Sequence, residues 1–279
     1  TYKDGTAEQI VSNTSWKTAD SPILFDMRRC GEKFDARLKI NGWCDPDFDD
    51  SAWDNAFICK GLGGKFRKKI VEPIRIMRLI RGTEIEKGLF DFGTNTSGWA
   101  RINVKGKRGN EIVIKYSENL SEDKRHVDQS SITNGGSHKD QYIMEGNPDG
   151  EEWEQTFIYH GFRYVVVLGI DESQATPDLL TYIVCSSALK ERGNFKCSDD
   201  TVNRLQAMTR NATVSNFYYF PTDCPQREKN GWTGDANMSC RQTLLNLNPE
   251  NSYKEWLRNI RKAQRENGEI PGIVPTGSW

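Results

Sequence analysis

No apolar run in these 279 residues approaches the roughly 20 needed to cross a bilayer as a helix, so the helical membrane-spanning classes are excluded. Residues 1–14 are polar, with acids among the first of them, unlike the apolar stretch of a secretory leader. The chain opens on Thr1 rather than Met, so a truncated or processed start is expected and an earlier leader stays open. Histidine is scarce: His126, His138 and His160 are the three, and none pairs at metal-ligand spacing. No metal site is expected. The seven cysteines are odd in number, widely spaced and free of any Cys-x-x-Cys pair, which argues against zinc or thioredoxin motifs. Free thiols in a reducing compartment fit most simply, and a cytoplasmic location is expected. An excess of positive charge is also missing. The net charge of −1 argues against a nucleic-acid partner, which would want a basic face.

What is present is length enough for two or three domains. Eight tryptophans suit either a core or platforms for sugar rings, and burial is the commoner use. Residues 1–71 read as β-rich: Phe34–Ile40 alternates apolar and polar as a half-buried strand does, ahead of the turn pair Asn41-Gly42. Trp43 and Trp53 are expected to fill a core corner, with a sugar platform as the other reading. Gly61-Leu62-Gly63-Gly64 before Lys65 lacks the spacing of a phosphate loop and reads as a flexible turn. In residues 72–188, Glu111–Tyr116, Tyr164–Leu168 and Gly98–Val104 are strand runs. Ser121–Lys139, with Gly135-Gly136, reads as a long exposed loop, and His160 as a hydrogen-bonded structural residue.

After Leu189 the period changes from two to about 3.6. Val202, Leu205, Thr209 and Ala212 share one helical face, with Ser198 or Asp199 as cap. Thr233 can cap a second helix. Asn248-Pro249 opens a third, whose stripe is Tyr253, Trp256, Leu257 and Ile260 and whose end is Gly268.

Between the first two helices lies Thr222–Asp235, with carboxylates at Asp223, Glu228 and Asp235 and an indole at Trp232. Pro225 and Gly231 mark it as a loop. Three acids beside an aromatic face suit carbohydrate chemistry, because a carboxylic acid can protonate a glycosidic oxygen and carboxylates accept bonds from sugar hydroxyls. The plain alternative is Asp235 as a helix cap and two solvated acids.

Asp223-Cys-Pro-Gln-Arg-Glu-Lys-Asn-Gly-Trp-Thr-Gly-Asp235 resembles the signature of the bacterial α-L-rhamnosidases, glycoside hydrolase family 78. The resemblance implies that Glu228 is the general acid, that Asp223 and Asp235 bind rhamnose, and that no cofactor is needed. The family often reads Arg-Asp-Glu where this chain has Arg227-Glu228-Lys229. Trp232 could pack on the apolar face of the sugar or position the loop. Arg227 adjoins the acid, where its charge opposes the protonation that the flanking aspartates favour.

Two further stretches carry the resemblance. Gly42-Trp43 through Phe48-Asp49-Asp50-Ser51-Ala52-Trp53 is similar to jelly-roll modules and to the family's N-terminal domain. Asp91-Phe92-Gly93, Gly98-Trp99 and Tyr159–Tyr164 resemble the sandwich before its catalytic domain. The implied fold is multidomain: a partial, carbohydrate-binding-module-like β-domain (1–71), a second β-sandwich of jelly-roll-like character (72–188), and the first helices of an (α/α)6 barrel (189–279).

The implied activity is inverting hydrolysis of terminal α-L-rhamnose from rhamnose-containing glycans or glycosides. The other readings are a non-catalytic carbohydrate-binding or structural β-sandwich module, and a glycosidase of different specificity on the same scaffold. The general base of the family comes from a late loop, so the chain as given is expected to lack it and to be inactive alone. An incomplete barrel would leave the stripes of Val202, Leu205, Trp256 and Ile260 uncovered, which favours pairing with another chain, a homo-oligomer included.

Overall fold

The computed structural model of the protein describes residues 1–61, 63–132 and 137–275. Leu62, Gly135-Gly136 and Gly277-Ser278-Trp279 thus lie outside the described residues. The chain forms two compact units.

The first unit comprises residues 1–22 and 38–68. Among its described residues the regular structure is one short antiparallel pairing, Lys17–Thr18 with Asp54–Asn55. Trp53 is half-buried against Phe48, with ring centroids 5.4 Å apart. Trp43 is 63% exposed, so the expected corner does not enclose it.

The second unit, residues 23–37 and 69–279, is built on a curled sheet. Its strands are β1 (Ile23–Met27), β2 (Gly31–Asp35), β3 (Ile74–Arg81), β4 (Thr83–Glu86), β5 (Leu89–Val104), β6 (Glu111–Ser117), β7 (Lys139–Ile143), β8 (Glu151–Trp153), β9 (His160–Leu168) and β10 (Leu180–Ser187). They run in the order β1-β2-β7-β6-β9-β5-β10-β3, with β4 and β8 also pairing with β5. Only the β2–β7 pair is parallel. The sixteen residues of β5 make the curl. Leu89–Gly98 pairs with β9, and Gly98–Ile102 with β10.

Alternation decides which face is buried. On β6, Ile112, Ile114 and Tyr116 point into a core shared with Phe90, Phe162 and Tyr182, while Glu111 is exposed and Lys115 half-exposed. The expected strand over Phe34–Ile40 ends at Asp35 instead. Its carboxylate accepts from the Arg37 backbone N–H at 3.0 Å and pairs with the Arg37 guanidinium, turning the chain into the 3-10 segment Ala36–Leu38. Residues 23–35, read from sequence with the first 71, are hydrogen-bonded into the large sheet.

Among the described residues three α-helices follow: α1 (Asp200–Ser215), α2 (Thr233–Asn246) and α3 (Glu250–Ala263). Asp199 caps α1, accepting from the N–H groups of Thr201 and Val202. Thr233 does not cap α2: it is the first helical residue, and its hydroxyl donates to the carbonyls of Pro271 and Gly272. Helix α3 ends at Ala263, short of Gly268, which sits in a following turn closed by Arg265. Val202 and Leu205 are exposed, as the unpartnered stripe implies. Trp256 is not. Its indole N–H donates to the Val274 carbonyl at 3.0 Å and its ring stacks near Phe220.

Candidate active site

The loop between α1 and α2 closes on itself. The Asp223 N–H donates to the Asn230 carbonyl (2.9 Å) and the Asn230 N–H donates to Asp223 Oδ1 (2.8 Å). Inside that ring, Cys224 Sγ accepts from the Glu228 N–H at 3.2 Å and its thiol donates to Asp223 Oδ2 at 3.1 Å. Burial pushes the Cys224 thiol up, so it serves as a hydrogen-bonding group rather than a thiolate nucleophile.

The turn at Pro225–Glu228 rests on the start of β9. A Cβ at Gly161 would meet Pro225 Cγ at 2.5 Å and the Gln226 nitrogen at 2.9 Å. Gly231 answers the same need at the far end. A Cβ there would meet the Val274 carbonyl oxygen at 2.2 Å, where Val274 donates back to Gly231 and Trp232 bridges to Ile273.

Glu228 is half-buried, and both its oxygens are engaged within the loop. The Trp232 indole N–H donates to Oε2 at 2.8 Å, and Arg227 Nη2 lies 3.3 Å from Oε1. Trp232 and Arg227, expected beside the sugar, are therefore spent at least in part on orienting the carboxyl. Asp223 and Asp235 line one cleft of about 840 Å³ with Thr213, Asn216, Met238 and Gln242. That volume suits a small ligand. Glu228 is not among the cleft's lining residues. Asp235 is exposed in the first turn of α2, where the helix dipole favours negative charge. It is not the cap: that position belongs to Trp232, without a side-chain capping bond.

Sequence reasoning missed the residues that fasten this loop to the sheet. Arg29 Nε donates to the Glu228 carbonyl at 3.3 Å, and Arg29 Nη2 to Asn230 Oδ1 at 3.2 Å. Lys229 donates to the carbonyls of Arg28 and Tyr159. The only local signal was the Arg28-Arg29 pair in a turn. His160, expected to be structural, is buried and stacks on Tyr116 with its Nε2 3.1 Å from Asp140. His138, expected in an exposed loop, is buried too. Its neighbours Gln129 and Tyr116 both bond its carbonyl, drawing that end of the loop inward.

Residues 1–78 match the alpha-L-rhamnosidase N-terminal domain, 81–186 the bacterial alpha-L-rhamnosidase concanavalin-like domain, and 190–279 the bacterial alpha-L-rhamnosidase 6 hairpin glycosidase domain. An alpha-L-rhamnosidase of Formosa agariphila is 32% identical over 99% of this chain and 30% of its own length. The solved alpha-L-rhamnosidase of Dictyoglumus thermophilum superposes with a TM-score of 0.93 at 38% identity, over 98% of this chain and 31% of that one. That of Streptomyces avermitilis, solved with L-rhamnose, gives 0.92 at 29%, over 98% and 27%. This chain thus spans less than a third of the length of each. With three successive matches to one family along the chain and a shared fold, the chain belongs to the bacterial α-L-rhamnosidases, a family of glycoside hydrolases.

Proposed function

We propose that the whole protein removes terminal α-L-rhamnose from rhamnosides with inversion, Glu228 giving the proton and Asp223 and Asp235 holding the sugar. The observation that carries this reading is the closed loop. It sets two aspartates in the wall of a sugar-sized cleft and orients a third carboxyl through Trp232 and Arg227. Trp232 donates to Oε2 at 2.8 Å and Arg227 reaches Oε1 only at 3.3 Å, so the proton to be given sits on Oε1, the less tightly held oxygen. Once it has left, Arg227 faces the new carboxylate charge. Each oxygen of Asp223 carries one protein bond and keeps a lone-pair direction for a sugar hydroxyl. Met238 offers apolar contact to the deoxy-sugar's methyl group.

Inversion needs a base across the sugar, about 6.5–9.5 Å from the acid, to activate water. In this reading the base comes from outside these 279 residues. Glu266 and Glu269 follow α3, and Glu269 is already paired with Arg265 at 2.9 Å. The 279-residue chain alone is then inactive on aryl rhamnosides. The same reading takes α1–α3 as the opening of an (α/α)6 barrel after two β-sandwich domains, with rhamnose-containing glycosides as partners. Proton NMR of the whole enzyme's first turnovers tests the stereochemistry. β-L-rhamnose is expected to appear first, and α-L-rhamnose first would refute inversion.

A further inference from the structure

Lys229 follows Glu228 directly, yet its side chain turns away from solvent and is 3% exposed. Its ammonium donates to two carbonyls on separate parts of the sheet: Arg28, in the turn between β1 and β2, and Tyr159, just before β9. It also lies 4.6 Å from the centroid of the Tyr159 ring, which is itself stacked on Tyr218 at 3.8 Å. The backbone at Lys229 is left-handed, with φ +55°, a conformation a lysine adopts only when its surroundings hold it there.

Few charges compensate the buried ammonium. Asp140 on β7 favours it and Arg28 opposes it, with the thiols of Cys30 and Cys224 close by; His138 and His160 also face it, and burial together with the lysine's own charge holds both imidazoles toward the neutral form. Burial brings the ammonium down from its ordinary value to about 7. A charge held against that tendency, in a strained backbone, next to the proposed acid, has a role that general packing does not require. An apolar side chain would fill the space without the desolvation.

We propose that Lys229 is a positioning residue for Glu228: its buried ammonium pins the Pro225–Glu228 turn to the sheet, so that removing it impairs proton donation more than sugar binding. The proposal rests on the hydrolase reading above. It extends that reading to a residue outside the lining of the cleft that Asp223 and Asp235 share and, in this account, one that touches no substrate. A neutral amine in its place would keep two N–H groups but lose the charge that strengthens them, and would turn a lone pair toward a carbonyl or the Tyr159 ring.

The test compares Lys229→Met with the wild type in the whole enzyme at pH 6, below the lysine's value of about 7 so that the ammonium is charged, on a rhamnoside with an alkyl leaving group and on p-nitrophenyl α-L-rhamnoside. An alkyl leaving group needs the proton, and p-nitrophenolate needs it far less. The expected result is a kcat about 10- to 100-fold lower on the alkyl rhamnoside, in line with a misplaced catalytic group. On the aryl substrate the loss stays within about threefold, with KM within about twofold on both. Equal losses on the two substrates would make the lysine merely structural and overturn the proposal, as would no loss on either. Lys229→Gln keeps two donors without the charge and is the variant to use if the Met form does not fold. It is expected to show the same selectivity, and its failure to do so counts equally against the proposal. A wild-type enzyme that hydrolyses neither substrate would instead sink the hydrolase reading itself.

Discussion

Gly161→Ala is a perturbation far in sequence from the three carboxylates that should nonetheless reach them. Gly161 is buried on β9, and its added Cβ would stand 2.5 Å from Pro225 Cγ, 2.9 Å from the Gln226 nitrogen and 3.0 Å from Pro225 Cβ. Non-bonded carbons rest at about 3.5–4.0 Å, so the turn carrying Glu228 must retreat by about 1 Å. Overpacking of this kind costs about 1–3 kcal/mol of stability. A displacement of about 1 Å at a catalytic group can cost about 10²-fold in rate. The loop's own ring of bonds between Asp223 and Asn230 should carry the shift as a unit rather than absorb it. Steady-state kinetics of the whole enzyme on an alkyl rhamnoside, beside thermal melting, reads both numbers. A folded variant with wild-type kcat would show that the turn's contact with β9 does not set the position of Glu228.

Two further outcomes follow from the same geometry. Asp235→Asn should lower kcat more than affinity for free rhamnose, because its contact tightens toward the transition state, and should leave the melting temperature nearly unchanged since Asp235 does not cap α2; a melting loss worth about 1 kcal/mol or more, without a kinetic effect, would reverse that assignment. Lys229 makes stability depend on pH. Its folded-state value of about 7 lies below the ordinary lysine value of 10.5, so between them the unfolded chain holds a proton that the folded one has released, and stability should rise with pH across that window by on the order of a few kcal/mol; Lys229→Met should lose this rise in melts at pH 6 and 9.5, and an unchanged slope would refute it.

The sequence was most legible where contacts are local or periodic. Alternation at Ile112, Ile114 and Tyr116 marked a strand, and Asp199 marked the start of α1. The loop stood out because its acids and its indole lie within fourteen residues. Legibility failed where one side chain or one distant partner overrides a local pattern. Asp35 ends a strand that alternation would extend to Ile40. Thr233 spends its hydroxyl on residues 271–272 instead of a cap. Arg29 and Lys229 meet their partners across roughly two hundred positions, a pairing that no spacing rule carries. The switch of β5 from β9 to β10 at Gly98 is likewise a property of the whole sheet.

The central claim is that Glu228 supplies the proton, and the most direct measurement is the leaving-group dependence of Glu228→Gln in the whole enzyme. The amide keeps the size of the side chain and an oxygen for the Trp232 N–H, so the loop should hold its shape. A positioned acid contributes about 10²–10⁴-fold, and a kcat loss of that order is expected on an alkyl rhamnoside. A much smaller loss is expected on the p-nitrophenyl substrate. Equal losses on the two would contradict the account and leave Glu228 as a binding residue.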